Sequence, residues 1–251
     1  MPIDLPETAS SWLVDPRDEA FVTPASGWEP VRGVIFDYHS TLAHGGDPAR
    51  WLDSAWAGAQ RPGTARAAFA QTGYAALLDF LDHIWEHAGR VDPDNGRDLD
   101  PGRHREVFDE VMALRPEVGP ELADALYACL LHQWQAYPDA VPTLRELRGR
   151  GIRTAILSNM GLDLHPVLAR QGLAPFLDAV VLSWECGAVK PTPEAFRAAL
   201  DALGLGAAQA LMVGDNAIDD AGAAAVGIRT LLLPRSLGAG ARGLGIVSLL
   251  A

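Results

Sequence analysis

Short apolar runs that stop abruptly at polar residues recur along the chain and divide it into two regimes. Gly33 to Phe36, Ile152 to Leu157, Ala179 to Leu182, Ala210 to Val213 and Arg229 to Leu233 are compact, largely branched runs, the pattern of buried strands. Helical spacing fills the gaps among the later runs: Pro142 to Gly149, Leu162 to Gln171 (closed by Gly172), Pro193 to Leu203, and Asp219 to Val226. Strand and helix in alternation predict a parallel sheet with right-handed crossovers. Between the first and second runs the period changes. Trp51, Leu52, Ala55 and Trp56 share one helical face, as do Leu77, Leu78, Leu81 and Trp85. Turn formers interrupt this block from Val91 to Gly102, and Asp100-Pro101 reads as an N-cap with proline in the first helical position. Helices are then expected to about Leu114 and from Pro120 to Gln135.

The predicted architecture is α/β: a doubly wound, Rossmann-like parallel sheet with an inserted helical cap. The core takes residues 31–42 and 136–251, and the cap residues 43–135. Residues 1–30, broken by five prolines, form an N-terminal arm. The glycine-rich stretch Ser236 to Gly245 reads as a loop, because it does not join a strand directly to a helix as a dinucleotide fingerprint does.

Charge narrows the partners. A net charge of −12 disfavours nucleic acid and anionic membrane surfaces, so any phosphate must be held by a local cation or a metal. Cys129 and Cys186 lie far apart without metal-ligand spacing and read as reduced thiols. No run approaches the roughly 20 apolar residues of a membrane helix. The acidic, proline-broken start is no signal peptide. A cytoplasmic protein, monomer or homodimer, acting on a small anionic substrate is expected.

Asp37 ends the first strand, and ligands collect at the carboxyl ends of strands in open α/β sheets. Four polar stations follow one another: FDYHSTL at Phe36–Leu42, ILSN at Ile156–Asn159, the Lys190-Pro191 pair, and GDNAIDDAGA at Gly214–Ala223. Taken singly each has an ordinary explanation. Asp37 could form a turn, Ser158 a cap, Lys190 a solvated charge, and Asp215 with Asp219 a favourable helix start. In this order, three of them directly after a strand, they resemble the haloacid dehalogenase-like hydrolases over about Val31 to Pro234. The subgroup they resemble carries a helical cap between its first two motifs.

That resemblance implies a role for each position. Asp37 is the expected nucleophile, forming an aspartyl phosphate that water hydrolyses. Thr41, Ser158 and Asn159 would contact the transferring group, and Lys190 would offset the repulsion between two anions. Asp37, the main-chain carbonyl of His39, Asp215 and Asp219 would hold Mg²⁺, a hard ion suited to oxygen ligands.

One position departs from the pattern. Phosphatases of this superfamily have a second aspartate two residues after the nucleophile, where this chain has His39. A histidine, with an ordinary pKa of about 6.5, can itself move protons. The substitution leaves three chemistries: phosphate-ester hydrolysis, carbon–halogen (or other carbon-centred) displacement, and a binding protein with weak or no turnover. Asp215 favours the first, since haloacid dehalogenases typically carry serine there.

Weaker constellations have structural readings. His83 and His87 are spaced i, i+4 but lack a third ligand. Arg103-His104-Arg105 could bring positive charge over the site, although a solvated helix end accounts for it. Trp51, Trp56, Trp85 and Trp134 are assigned to the cap core rather than to a substrate cavity.

Overall fold

A computed structural model describes residues 29–234 and 239–251. The chain divides after Pro30, and the fold described is that of Val31–Ala251. The predicted arm, up to residue 28, and residues 235–238 of the glycine-rich stretch lie outside the described residues.

The core opens with β1 (Gly33–Phe36). A two-residue strand, β2 (Ala43–His44), precedes the helices α1 (Pro48–Gly58), α2 (Ala65–Ala68), α3 (Tyr74–Asp82), α4 (Ile84–Val91), α5 (Pro101–Met112) and α6 (Pro120–Ala128), and β3 (Gln135–Ala136) closes the block. The core resumes with α7 (Ala140–Gly149), β4 (Arg153–Ser158), α8 (His165–Arg170), β5 (Ala179–Leu182), α9 (Ser183–Cys186), α10 (Pro193–Leu203), β6 (Ala210–Gly214), β7 (Arg229–Leu232) and α11 (Gly245–Leu250).

The large sheet is parallel throughout, in the order β5-β4-β1-β6-β7. Strands are therefore added outward on one side of β1 and then on the other, and Phe36 pairs with Ile156 on one side and Val213 on the other. Side-chain alternation along β1 sorts the core. Val34 and Phe36 join Ile156, Val213 and helices α7, α8 and α11 on one face. Ile35 joins Leu157, Met212 and α10 on the other. Both faces are covered, as parallel strands require. The inserted helices bury an apolar cluster of their own, from Trp51 to Leu130.

The cap read at Asp100 is present, and the structure adds one at Asp47. Asp47 caps α1 and Asp100 caps α5, accepting the Arg103 N–H at 2.6 Å, and each precedes a proline at the first helical position.

Five expectations need correction. Residues 43–44 are not helical: Ala43 and His44 pair antiparallel with Ala136 and Gln135, in a ribbon too short to show a period. The last helix of the block ends at Ala128, followed by a 3₁₀ turn at Leu130–His132, rather than running to Gln135. The Asp219 to Val226 segment is a 3₁₀ helix, Ala221–Val226, and the predicted loop after Val91 contains a 3₁₀ turn at Gly96–Asp98. The glycine-rich stretch ends in α11 at Gly245. Among the described residues no helix is long and apolar enough to cross a membrane.

Candidate active site

The switch in strand order at β1 opens a crevice at the carboxyl edge of the sheet, the position where open α/β folds gather ligands. Asp37 leaves β1 there, its N–H donating to the Val213 carbonyl at 2.9 Å. Ser158 ends β4 and Asp215 follows β6, so three neighbouring strands deliver their polar ends to one cavity of about 360 Å³.

Lys190 comes from the loop before α10 and is almost completely buried. Its Nζ donates to Asp37 Oδ1 at 2.8 Å and to Asp220 Oδ1 at 2.6 Å. Asn159 fixes the lysine from behind. Its Oδ1 accepts the Lys190 N–H at 2.7 Å and its Nδ2 donates to the Lys190 carbonyl at 2.9 Å. Asn159 lines the cavity, but these two bonds make it a holder of Lys190 rather than the substrate contact expected for it.

Asp220 is the carboxylate that sequence reasoning missed. Asp219, expected to sit behind Asp215, instead accepts from Asn216 Nδ2 at 2.8 Å on the cavity wall. It is Asp220 whose carboxylate comes together with those of Asp37 and Asp215, with an oxygen from each within 4.8 Å of the others. Asp220 Oδ2 accepts the N–H groups of Asp215 and Asn216, at 3.0 and 2.9 Å, which bends the chain so that Asp220 turns inward. Gly214 makes room for this turn: a Cβ there would lie 2.0 Å from Asp220 Oδ2.

The loop after Asp37 turns tightly. The Tyr38 carbonyl accepts from the N–H groups of Leu42 and Ala43, and Ser40 takes the left-handed conformation at φ 66°. This turn buries Thr41 completely and keeps it off the cavity wall, which Ser40 lines in its place. Thr41 is therefore not positioned to touch a substrate. His39 lines the cavity with its ring against Trp134, centroids 5.1 Å apart, and its Nδ1 3.3 Å from Ser40 Oγ. Arg242, from the far end of the chain, donates from Nε to the Ser40 carbonyl at 2.7 Å and steadies the turn.

The inserted block supplies the opposite wall. Gly161, just past β4, meets the Arg97 carbonyl so closely that a Cβ would sit 1.9 Å from it. Ser183 Oγ donates to the Asp98 carbonyl at 2.5 Å and accepts the Met160 N–H at 2.8 Å. Arg97, Asp98 and His104 thereby reach the cavity. The arginines around His104 do not. Arg103 pairs with Asp92, Glu106 and Glu110, and Arg105 with Asp109 and Asp124, so the cation brought by this block is Arg97. His83 reaches the cavity rim, whereas His87 stacks on Phe80 at 4.6 Å, so the two do not converge on a metal. Trp51 and Trp56 do build the core of the block, but Trp85 and Trp134 line the cavity.

Burial sets the electrostatics. It pushes the Asp37 carboxyl up to about 6, with Lys190 pulling it down and Asp220 and Asp215 adding to the rise. Burial also opposes the charge on Lys190, but Asp37 and Asp220 outweigh it and hold the ammonium well above its ordinary range. Burial raises Asp98 to about 6 and lowers His104 to about 4, so His104 is neutral at pH 7. Three carboxylates face one ammonium. Asp37 Oδ2 is buried without a hydrogen-bond partner among the described residues. An orphaned carboxylate oxygen beside surplus negative charge fits a hard divalent cation.

A haloacid dehalogenase-like hydrolase profile matches residues 31–227. The chain is 38% identical over 135 residues to a phosphoserine phosphatase of Thermus thermophilus, covering 53% of each protein. It is 38% identical over 124 residues to a ribulose-1,5-bisphosphate 5-phosphatase of Halopiger xanaduensis, covering 49% of this chain and 52% of the relative. The chain thus spans about half the length of these curated relatives. In fold it is similar to a dehalogenase crystal structure, with a TM-score of 0.63 and 21% identity over 88% of this chain and 97% of the other.

Proposed function

The chain belongs to the haloacid dehalogenase-like hydrolase family, and we propose that it is a Mg²⁺-dependent phosphatase acting on a small phosphate monoester through Asp37. The observation that carries this reading is the Lys190 bridge between Asp37 and Asp220, together with the orphaned Asp37 Oδ2 beside Asp215. Lys190 fixes one oxygen of the nucleophile and leaves the other to the incoming group. The ammonium also lowers the repulsion between carboxylate and phosphate in a buried setting where charge interactions are strong.

Asp37, Asp215 and the main-chain carbonyl of His39 would hold the metal, with Asp220 behind them. Bound there, the ion would neutralise phosphate charge and align the ester. Attack by an Asp37 oxygen forms a bond to phosphorus as the ester P–O bond breaks in line. His39 gives a proton to the departing alkoxide. The resulting imidazole then takes a proton from water, which attacks the phosphorus of the aspartyl phosphate and releases phosphate and the free carboxylate. Ser158, buried at the end of β4, would bind a phosphoryl oxygen. We read residues 43–135 as a cap that closes on the core, excludes water and selects the substrate.

Phosphate release from p-nitrophenyl phosphate, with and without Mg²⁺ and beside Asp37→Asn, tests the reading. The expected result is metal-dependent turnover that disappears in the variant. Absence of turnover with metal present, or turnover that survives Asp37→Asn, would refute it. A panel of 2-haloacids in the same assay reports carbon–halogen displacement.

A further inference from the structure

The catalytic cavity has a neighbour. A second cavity of about 660 Å³ lies beside it, and the two share His39, Ser40, Asp82, Trp85 and Trp134 in their walls. His39 therefore stands at the junction between them. The second cavity is built on the β2–β3 ribbon, whose register sets His44 opposite Gln135. Trp134 and Tyr137 flank that ribbon. The His44 ring lies against Tyr137 with centroids 5.1 Å apart, and the His39 ring lies at the same separation from Trp134. Trp85 adds a further aromatic wall, and the carboxamides of Gln133 and Gln135 supply polar groups.

We propose that this second cavity receives the leaving group of the substrate, and that the leaving group is a ring-bearing alcohol, so that the protein's ester is an arylmethyl or heteroarylmethyl phosphate. The inference rests on the phosphatase reading in one respect: the proton donor must reach the leaving oxygen. An in-line reaction sends that oxygen away from Asp37 and toward the donor. With His39 as donor, whatever is attached to the oxygen continues past His39, and the space beyond is the second cavity. Trp51, Trp85, Trp134 and Tyr137 contribute ring surface to its walls beside charged and aliphatic side chains, and those ring faces and edges favour a planar occupant over a flexible polyol. The two carboxamides offer both a donor and an acceptor to a ring heteroatom. The volume is that of a pocket for a small organic molecule rather than for a few waters.

Benzyl phosphate and ethyl phosphate test the proposal, because their leaving alcohols are similar in basicity and differ in the ring. The expected kcat/KM is at least about tenfold higher for benzyl phosphate. His44→Ala should remove most of that preference and leave ethyl phosphate hydrolysis unchanged, and His44→Phe should keep the preference. Equal kcat/KM for the two esters, or a benzyl preference untouched by His44→Ala, would overturn the proposal while leaving the phosphatase intact. If neither ester turns over, calorimetry with benzylphosphonate and ethylphosphonate in the presence of Mg²⁺ reads the cavity directly. Affinity about tenfold tighter for the benzyl compound supports the inference, and equal or absent binding overturns it.

Discussion

Lys190 and Asp220 form a buried ion pair at 2.6 Å, shorter than the 2.8 Å contact between Lys190 and Asp37. The arrangement explains how a lysine with almost no solvent contact remains charged. Its ammonium has two carboxylates within hydrogen-bonding distance, and a third, on Asp215, stands nearby. Removing the Asp220 charge leaves Lys190 with Asp37 as its hydrogen-bonded carboxylate and leaves buried polar groups short of a partner, an effect on the order of 1–3 kcal/mol. Asp220→Asn should therefore lower the stability to urea by about that amount and weaken turnover. It also replaces the oxygen that accepts the Asp215 and Asn216 N–H groups. An unchanged urea midpoint would show that the pair contributes nothing to the fold.

The close approach of Gly161 to the Arg97 carbonyl ties the inserted block to the core. Both partners are backbone, and neither can swing aside as a flexible side chain would. Gly161→Ala should lift residues 92–100 away from the site. Hydrogen exchange should accelerate in that segment while protection of β1 and β4 is retained. Ser183→Ala, which removes one hydrogen bond to the same segment, should give a milder version at about 1 kcal/mol. Unaltered exchange in both variants would mean that the segment is held by other contacts.

The parts of this architecture that were legible in the sequence are those with long or repeated patterns. The five strands of the parallel sheet, the alternating helices and the insertion after the first strand all follow from period and length, although β7 at the sheet edge is partly exposed rather than buried as expected. Asp37, Ser158 and Asp215 follow from their places at strand ends, and Lys190 from its order among the four stations. What was not legible depends on contacts between distant segments. The β2–β3 ribbon is two residues wide and has no period to read. Asp219 and Asp220 are adjacent and chemically identical, and only the turn closed on Asp220 Oδ2 decides which faces inward. Thr41 resembles a substrate ligand by position, yet the turn at Ser40 buries it. Arg97 sits in a run of turn formers, where nothing local indicates that it lines the cavity.

His39 carries the proton-transfer role in the proposed mechanism, and the prediction is kinetic. General acid–base help is worth about a hundred- to ten-thousand-fold. His39→Ala should lower kcat within that range and leave KM within a few-fold, because the proposed mechanism puts the phosphate contacts on Lys190 and Ser158. Single-turnover measurements with a good leaving group, p-nitrophenolate, should show a smaller loss in the first half-reaction than with an alkyl ester. Equal losses for the two esters would remove His39 from the role of acid.

His104 supplies a pH dependence whose sign can be worked out. Burial, with the Arg97 charge adding to it, lowers its pKa to about 4 in the folded protein, against about 6.5 for an ordinary histidine. Between these values the unfolded chain binds the extra proton and the folded protein does not. The neutral histidine's contribution is therefore fully present above about pH 6.5 and is lost as pH falls toward 4. Asp98 works in the opposite direction over much of the same window, because burial raises it to about 6 and the folded state then holds the proton. The total stability profile mixes the two, so the measurement is a difference between proteins. His104→Gln retains a polar group for Tyr127, whose hydroxyl lies 3.1 Å from His104 Nδ1, but has nothing to titrate. Denaturant unfolding at pH 4.5 and pH 7.5 should show the parent losing roughly 2–3 kcal/mol more than the variant on acidification. Parallel losses in the two proteins would show that His104 is not held neutral by the fold.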